Sequence, residues 1–316
     1  MAEVDKDRWG VVYSSRSGFF KSHKRWKHIC RYMDAKDVHY DAMASENYGG
    51  VERLVTLLCE KGYRTIVIVG SDASLNDAVN SLMRFRRNLP EDFGFAVIPN
   101  GIGNDFARFW DVSLDDYKRV VDGVIERNIR KIDVGCCKYM GESVPHRRYF
   151  LNCVNIGLGA RLVKITNDMS KYVGSNIFTF VWAMINNIFE RKHYKMNIQI
   201  ETENLKERFM TVCIGNAHGY GQTPNAVPYN GLLDVSVITC PKWWQLFEGF
   251  WLLGKGHFLN FRNVHPYRAT HVLVYKIDKA IASTDGKTIL SKDPAPMAIT
   301  VEKEALNFIT PAFAEG

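Results

Sequence analysis

Two stretches decide the fold: Thr65-Ile66-Val67-Ile68-Val69-Gly70-Ser71-Asp72-Ala73-Ser74-Leu75-Asn76-Asp77 and Phe95-Ala96-Val97-Ile98-Pro99-Asn100-Gly101-Ile102-Gly103-Asn104-Asp105-Phe106-Ala107-Arg108. In each, an apolar run rich in β-branched residues ends in a turn and passes into helix-forming sequence. Strands of that texture are buried on both faces, as in a parallel sheet. Open α/β sheets bind ligands at the carboxyl ends of their strands, where both turns fall. Each turn carries an aspartate, Asp72 or Asp105, among small residues, which suits a phosphate or a metal. In the first turn Gly70, Ser71, Ala73 and Ser74 leave room for backbone N–H groups to face a phosphate. A plain strand–helix connection capped by Asp72 or Ser74 explains the same residues. In the second, Gly101 and Gly103 permit close backbone approach, and Asn104 and Asp105 supply polar groups at a helix start, with capping again the simpler account.

Upstream, Trp9 to Tyr13 reads as a first strand, with Ser14-Ser15-Arg16-Ser17-Gly18 as its turn. A basic helix through Trp26 to Tyr32 follows, then a second strand at Val38-His39-Tyr40. Val51, Leu54, Val55 and Leu58 recur at helical spacing between Gly50 and Lys61, and Gly62 closes that helix. A further helix runs from about Leu75 to Phe85. Strands alternating with helices in this way make βαβ units.

Beyond Ile132-Asp133 the texture changes to short apolar runs: Tyr149 to Asn155, Met196 to Glu201, Phe209 to Gly215, Leu232 to Thr239, His271 to Ile277 and Ala298 to Val301. These predict mostly antiparallel strands with two helical inserts. The expected division is an α/β domain over 1–133 and a β-rich domain over 134–303. Among the later turns, Ser283-Thr284-Asp285-Gly286-Lys287 is by itself best read as a hairpin, since Asp-Gly is a common hairpin dipeptide.

A chain of 316 residues has room for two domains. Its net charge of +7 suits an anionic substrate or an acidic membrane surface without requiring either. Basic runs at Lys21 to Lys27, Arg84 to Arg87 and His146 to Arg148 accompany no nucleic-acid-binding signature, so no nucleic-acid partner is expected. Seven cysteines without a C-x-x-C pair fit free thiols in a reducing compartment. With no apolar leader, the expected location is cytoplasmic. The apolar segments Ile177 to Ile188 and Trp243 to Leu253 are too short to span a bilayer. In the second, helical spacing sets Trp243, Phe247, Phe250 and Trp251 on one side. So wide an apolar arc predicts a buried helix, the alternative being a lipid-facing lip at a membrane surface.

Taken together and in order, these elements resemble the diacylglycerol kinase catalytic family, which includes bacterial lipid kinases, sphingosine kinases and ceramide kinases. The family's G-G-D-G-T turn resembles Gly70 to Ser74, and its P-x-G-T-x-N-D-x-A-R turn resembles Pro99 to Arg108. Asn155-Ile156-Gly157-Leu158-Gly159, Asn230-Gly231-Leu232-Leu233-Asp234-Val235 and Asp285-Gly286-Lys287 are similar to three later family elements. The departures are Ser14-Ser15 where the family often has Asn-Pro, Ser71 and Ala73 for glycines, Ile102 for threonine, Asn230 for aspartate and Lys287 for glutamate.

The resemblance implies an N-terminal α/β nucleotide domain like that of NAD kinases and phosphofructokinases, and a C-terminal β-sandwich for the lipid, with residues 304–316 returning to the first domain. It implies transfer of the γ-phosphoryl group of ATP to a lipid hydroxyl, with Asp285 as base and Lys287 beside it or at the phosphates. Nucleotide contacts are expected from Ser14, Arg16, Gly70, Ser71, Asp72, Ala73, Ser74, Gly101, Gly103 and Asn104. Mg²⁺ is expected at Asp72, Asp105, Asp133 and Asn230. A lipid substrate, a peripheral membrane surface and a homodimer are the expected partners. Two rivals stay open: a family member that binds nucleotide or lipid without transfer, and a kinase of a soluble alcohol.

Overall fold

The computed structural model describes residues 5–14, 21–45, 49–101, 104–141, 144–170, 190, 192–289 and 295–313. Arg16, Gly103 and the segment Ile177 to Ile188 therefore lie outside the described residues. The chain divides into two compact units, residues 1–133 with 303–316, and residues 134–302.

In the first unit, strands β1 (Trp9–Ser14), β2 (Tyr40–Ser45), β3 (Thr65–Gly70) and β4 (Gly94–Pro99) pair in parallel in the order β2-β1-β3-β4. Helices α1 (Lys21–Ala35), α2 (Gly50–Glu60) and α3 (Asp72–Phe85) connect them, and α4 (Asp105–Phe109) and α5 (Tyr117–Ile125) follow. Every residue of β1, β3 and β4 is buried, as the uninterrupted apolar runs require. Phe308, near the end of the long strand Met297–Ile309, pairs in parallel with Phe95 of β4.

Two expectations shift here. The second strand is Tyr40–Ser45 instead of Val38 to Tyr40, because the Val38 N–H bonds the Met33 carbonyl at 3.0 Å and closes α1. Helix α3 begins at Asp72 rather than Leu75. Ser71 is its extended N-cap, and the Ser71 carbonyl accepts the Leu75 N–H at 2.9 Å.

The second unit is antiparallel. β5 (Ile129–Met140) enters it and pairs with β6 (Pro145–Phe150). After β7 (Cys153–Gly157), helix α6 (Leu158–Ser170) leads towards β8 (Tyr194–Ile200), β9 (Glu203–Gly215) and β10 (Leu233–Thr239). Helix α7 (Gln245–Gly254) precedes β11 (Val264–Ala269), β12 (His271–Ile277), β13 (Ala282–Thr284), β14 (Lys287–Thr288) and β15 (Met297–Ile309). β13, β7, β9, β8, β12 and β15 follow one another across the sheet, and β10 pairs with β9 and β11. Val154, Ile156, Ile198, Val212, Ile214, Val272 and Val274 anchor the core of this unit.

The expected single strand from Tyr149 to Asn155 is broken in two at Leu151-Asn152. The N–H groups of both residues are taken by a carboxylate from elsewhere in the unit, so they do not continue the ladder.

Helix α7 overturns the expectation of burial. Leu246 is buried, Gly249 approaches Phe261, and Leu252 packs on the small cluster of Phe258, Phe261 and Val264. The opposite side carries Phe247 and Trp251, 61% and 64% exposed, and Trp243, in the turn before the helix, is 58% exposed. One apolar face packs and the other meets solvent.

Candidate functional site

The strand order β2-β1-β3-β4 reverses direction between β1 and β3, and the carboxyl ends of such neighbours frame the ligand crevice of doubly wound sheets. Ser14 ends β1, Gly70 ends β3 and Pro99 ends β4. The Asn100 N–H bonds the Gly70 carbonyl at 3.0 Å, tying the two turns together. Asp72 crosses from the first turn to the second: its carboxylate accepts the N–H groups of Asp105 at 2.7 Å and Phe106 at 3.3 Å. It caps the helix that follows the other turn. Asn104 closes that turn locally, donating through Nδ2 to the Gly101 carbonyl at 2.7 Å. Ala73 lies in the first turn of α3, and neither it nor Ser71 has a left-handed backbone, so a Cβ at these positions costs no strain.

Asn100 and Arg25 were not singled out from sequence. Asn100 is fully buried, accepts from Arg25 Nη1 at 3.0 Å and donates to the Ser22 carbonyl at 3.2 Å. A guanidinium from α1 is thereby fixed at the second turn. The basic run at Lys21 to Lys27 was the visible signal, but which of its cations turns inward depends on tertiary packing.

Of the expected Mg²⁺ ligands, Asp72 and Asp105 meet at the second turn, where the Asp72 carboxylate accepts the Asp105 N–H. Asp72 is engaged as described, Asp133 Oδ1 accepts the Glu304 N–H at 2.8 Å, and Asn230 Oδ1 accepts the Leu232 N–H at 2.9 Å on an exposed turn. Among the described residues no three His, Cys, Asp or Glu side chains are placed to hold a metal. A Mg²⁺ that arrives with substrate phosphates leans on only one or two protein carboxylates.

In the second unit, Asp285 and Gly286 form a two-residue turn between β13 and β14, with φ of 42° and 76° and Thr284 paired to Lys287. Two successive positive φ values mark the type I′ hairpin that Asp-Gly favours. The turn aims the Asp285 carboxylate inward, where it is 2% exposed. Oδ2 accepts the Leu151 N–H at 2.7 Å, and Oδ1 accepts those of Asn152 and Cys153 at 2.9 Å each. The Asp285 N–H returns a bond to the Cys153 carbonyl at 3.0 Å. Asn216 completes this knot, its Nδ2 donating to the Leu151 carbonyl and its N–H to the Asn152 carbonyl.

Beside the carboxylate, the buried Asn152 Oδ1 and Thr284 Oγ1 have no hydrogen-bond partner among the described residues. Buried polar atoms left in this state call for an explanation, and a polar ligand is one. Lys287 is half-buried on β14. At the end of β7, Gly157 takes φ 91°, and a Cβ there would stand 2.6 Å from the Met210 carbonyl oxygen.

Comparison with known proteins gives this arrangement a family. Residues 8–137 match the model of the diacylglycerol kinase catalytic domain, and residues 152–310 match that of the YegS C-terminal NAD kinase beta sandwich-like domain. A Pseudomonas aeruginosa protein named "Probable lipid kinase YegS-like" is 25% identical over 199 residues, covering 61% of this chain and 61% of that protein. The crystal structure of a diacylglycerol kinase from Bacillus anthracis str. Sterne superposes with TM-score 0.66 at 15% identity, covering 96% of this chain and 97% of that one. Yeast NADH kinase shares the fold more loosely, with TM-score 0.53 at 12% identity over 98% of this chain and 84% of that one. The α/β unit with its parallel sheet and the antiparallel β-sandwich unit are thus a known pair, and the chain belongs to the family that joins a diacylglycerol kinase catalytic domain to a YegS C-terminal domain.

Proposed function

We propose that the chain is an ATP-dependent lipid kinase that moves the γ-phosphoryl group of ATP to a lipid hydroxyl. The observation that carries this reading is Asp285: a buried carboxylate on a hairpin turn, held by three backbone N–H donors beside two unpartnered buried polar atoms. In this reading the hydroxyl oxygen bonds to the γ-phosphorus, the bond to the β–γ bridging oxygen breaks, ADP leaves and the hydroxyl proton passes to Asp285. The turns at Gly70–Ser74 and Asn100–Gly101 receive the nucleotide, with α3 opening directly after β3 and Arg25 supplying positive charge. Mg²⁺ would accompany the ATP phosphates, and no step is assigned to it.

The exposed side of α7 supports contact with a bilayer that contains anionic lipids. Trp243 and Trp251 face solvent, and Lys242 and Lys255 lie 5.3 and 4.2 Å from the ring centroids of Trp244 and Trp251. Tryptophan beside lysine suits the headgroup layer of such a surface. Among the described residues no helix is long and apolar enough to cross a membrane.

A second reading has its own observation. The Asp285 carboxylate is already spent on three N–H groups, as a purely architectural aspartate would be, which favours a member that binds without transfer. Incubation with γ-labelled ATP, Mg²⁺ and a panel of diacylglycerol, sphingoid base, ceramide and soluble alcohols separates the readings. Label in the organic phase is the expected result. ATP binding with no label transferred would support the second reading, and label confined to a soluble alcohol would exclude the lipid.

A further inference from the structure

The C-terminal unit holds a cavity of ≈ 720 Å³ in the size range of small-molecule sites. Its lining carries six cations: Arg161 and Lys164 of α6, Lys192 and Lys195 at β8, Arg208 of β9, and Lys279 after β12. Asp278 is the sole carboxylate among the described lining residues.

Folding alone does not account for this charge. Lys195 and Arg208 stand directly opposite each other in the β8–β9 register, and like charges in that relation destabilise a sheet. Among the described residues no carboxylate lies within ion-pair distance of Lys195, Arg208 or Lys279, whereas Arg161 and Lys192 share Glu190 at 3.4 and 2.7 Å. The hydrogen bond from Lys192, with the charges of Lys192 and Arg161, holds the Glu190 carboxyl below its ordinary range. Arg208 Nη1 lies 2.9 Å from His193 Nε2, a contact that supplies no negative charge. The cluster is short of negative charge, and an anion in the cavity would supply it.

We propose that this cavity binds a phosphate-bearing anion, with Lys195, Arg208 and Lys279 as its principal contacts. Arginine and lysine on three separate elements can surround a phosphate group, and charge-assisted hydrogen bonds would repay the repulsion between Lys195 and Arg208. The phosphate has two sources, a lipid headgroup or a soluble phosphate, and both present the same oxygens. The cavity's charge does not depend on whether the chain transfers phosphate.

The full-length protein is titrated calorimetrically at low salt with dihexanoyl phosphatidic acid, sn-glycerol 3-phosphate and inorganic phosphate. In parallel it is sedimented with phosphatidylcholine vesicles with and without phosphatidic acid. Saturable binding of at least one phosphate probe is expected, weakened by added salt and by about tenfold or more in Lys195→Ala/Arg208→Ala and in Lys279→Glu. Both sets of side chains are exposed, so the thermal midpoint of the free protein should hold or rise in the double variant. Binding confined to phosphatidic acid assigns the site to a lipid headgroup, and equal binding of all three probes assigns it to soluble phosphate. No binding of any probe by the wild-type chain, or undiminished binding by the variants, would overturn the proposal.

Discussion

At the scale of single residues, the aspartates of this chain work first on the backbone. Asp285 satisfies three buried N–H groups, so Asp285→Ala strands all of them. A loss of about 3–5 kcal/mol is expected, read from urea denaturation. Asp72 caps α4 across the gap between two turns, and Asp72→Ala should cost about 1 kcal/mol in the same measurement. Aspartate in a small-residue turn was visible in the sequence, but its partner was not. A carboxylate 33 residues from the N–H it accepts leaves no local pattern. The same holds for Arg25 and Asn100, 75 residues apart, whose bond exists only because α1 returns over the end of β4. Ala73 shows the converse. Beside the family's glycine it looks strained, yet the backbone there is helical and carries a methyl without cost.

At the scale of elements, strands with unbroken apolar runs were readable almost to the residue, because burial on both faces leaves β3 and β4 no polar side chain beyond Thr65 at the start of β3. Misreadings cluster where one element serves two masters. β6 and β7 look continuous in sequence and are separated by the Asp285 knot, whose demand on Leu151 and Asn152 comes from 134 and 133 residues away. Gly157 ends β7 in a conformation closed to other residues, and Gly157→Ala should destabilise the protein by about 2 kcal/mol or more in thermal unfolding.

Helix α7 misled for a different reason. Composition reports how apolar a helix is, not which of its faces finds a partner. Phe258 and Phe261 cover the side of Gly249 and Leu252 and leave Trp243 and Trp251 outside. Trp243→Ser/Trp251→Ser is accordingly expected to leave stability within about 0.5 kcal/mol of wild type while lowering co-sedimentation with anionic vesicles. Loss of stability without loss of vesicle binding would assign these side chains to packing.

At the scale of the whole molecule, the parallel sheet of the first unit and the antiparallel sheets of the second follow from the change of texture after Asp133, a property of composition and spacing that needs no long-range contact to be seen. The chemistry was less readable, since it depends on which side chains the fold turns inward. Lys287 reverses the charge of the family's glutamate beside the turn. If it serves the phosphates, Lys287→Ala should raise the KM for ATP more than it lowers kcat.

In the proposed reaction the Asp285 hairpin is the place where a lipid hydroxyl loses its proton. The most direct test is label transfer from γ-labelled ATP to the acceptor lipid by wild type, Asp285→Asn and Asp285→Glu, each first shown to be folded by circular dichroism and thermal unfolding. The prediction is that folded Asp285→Asn transfers less than about one hundredth of the wild-type label, with ATP binding retained, a loss on the scale of removing a general base. Near-wild-type transfer by folded Asp285→Asn would contradict it.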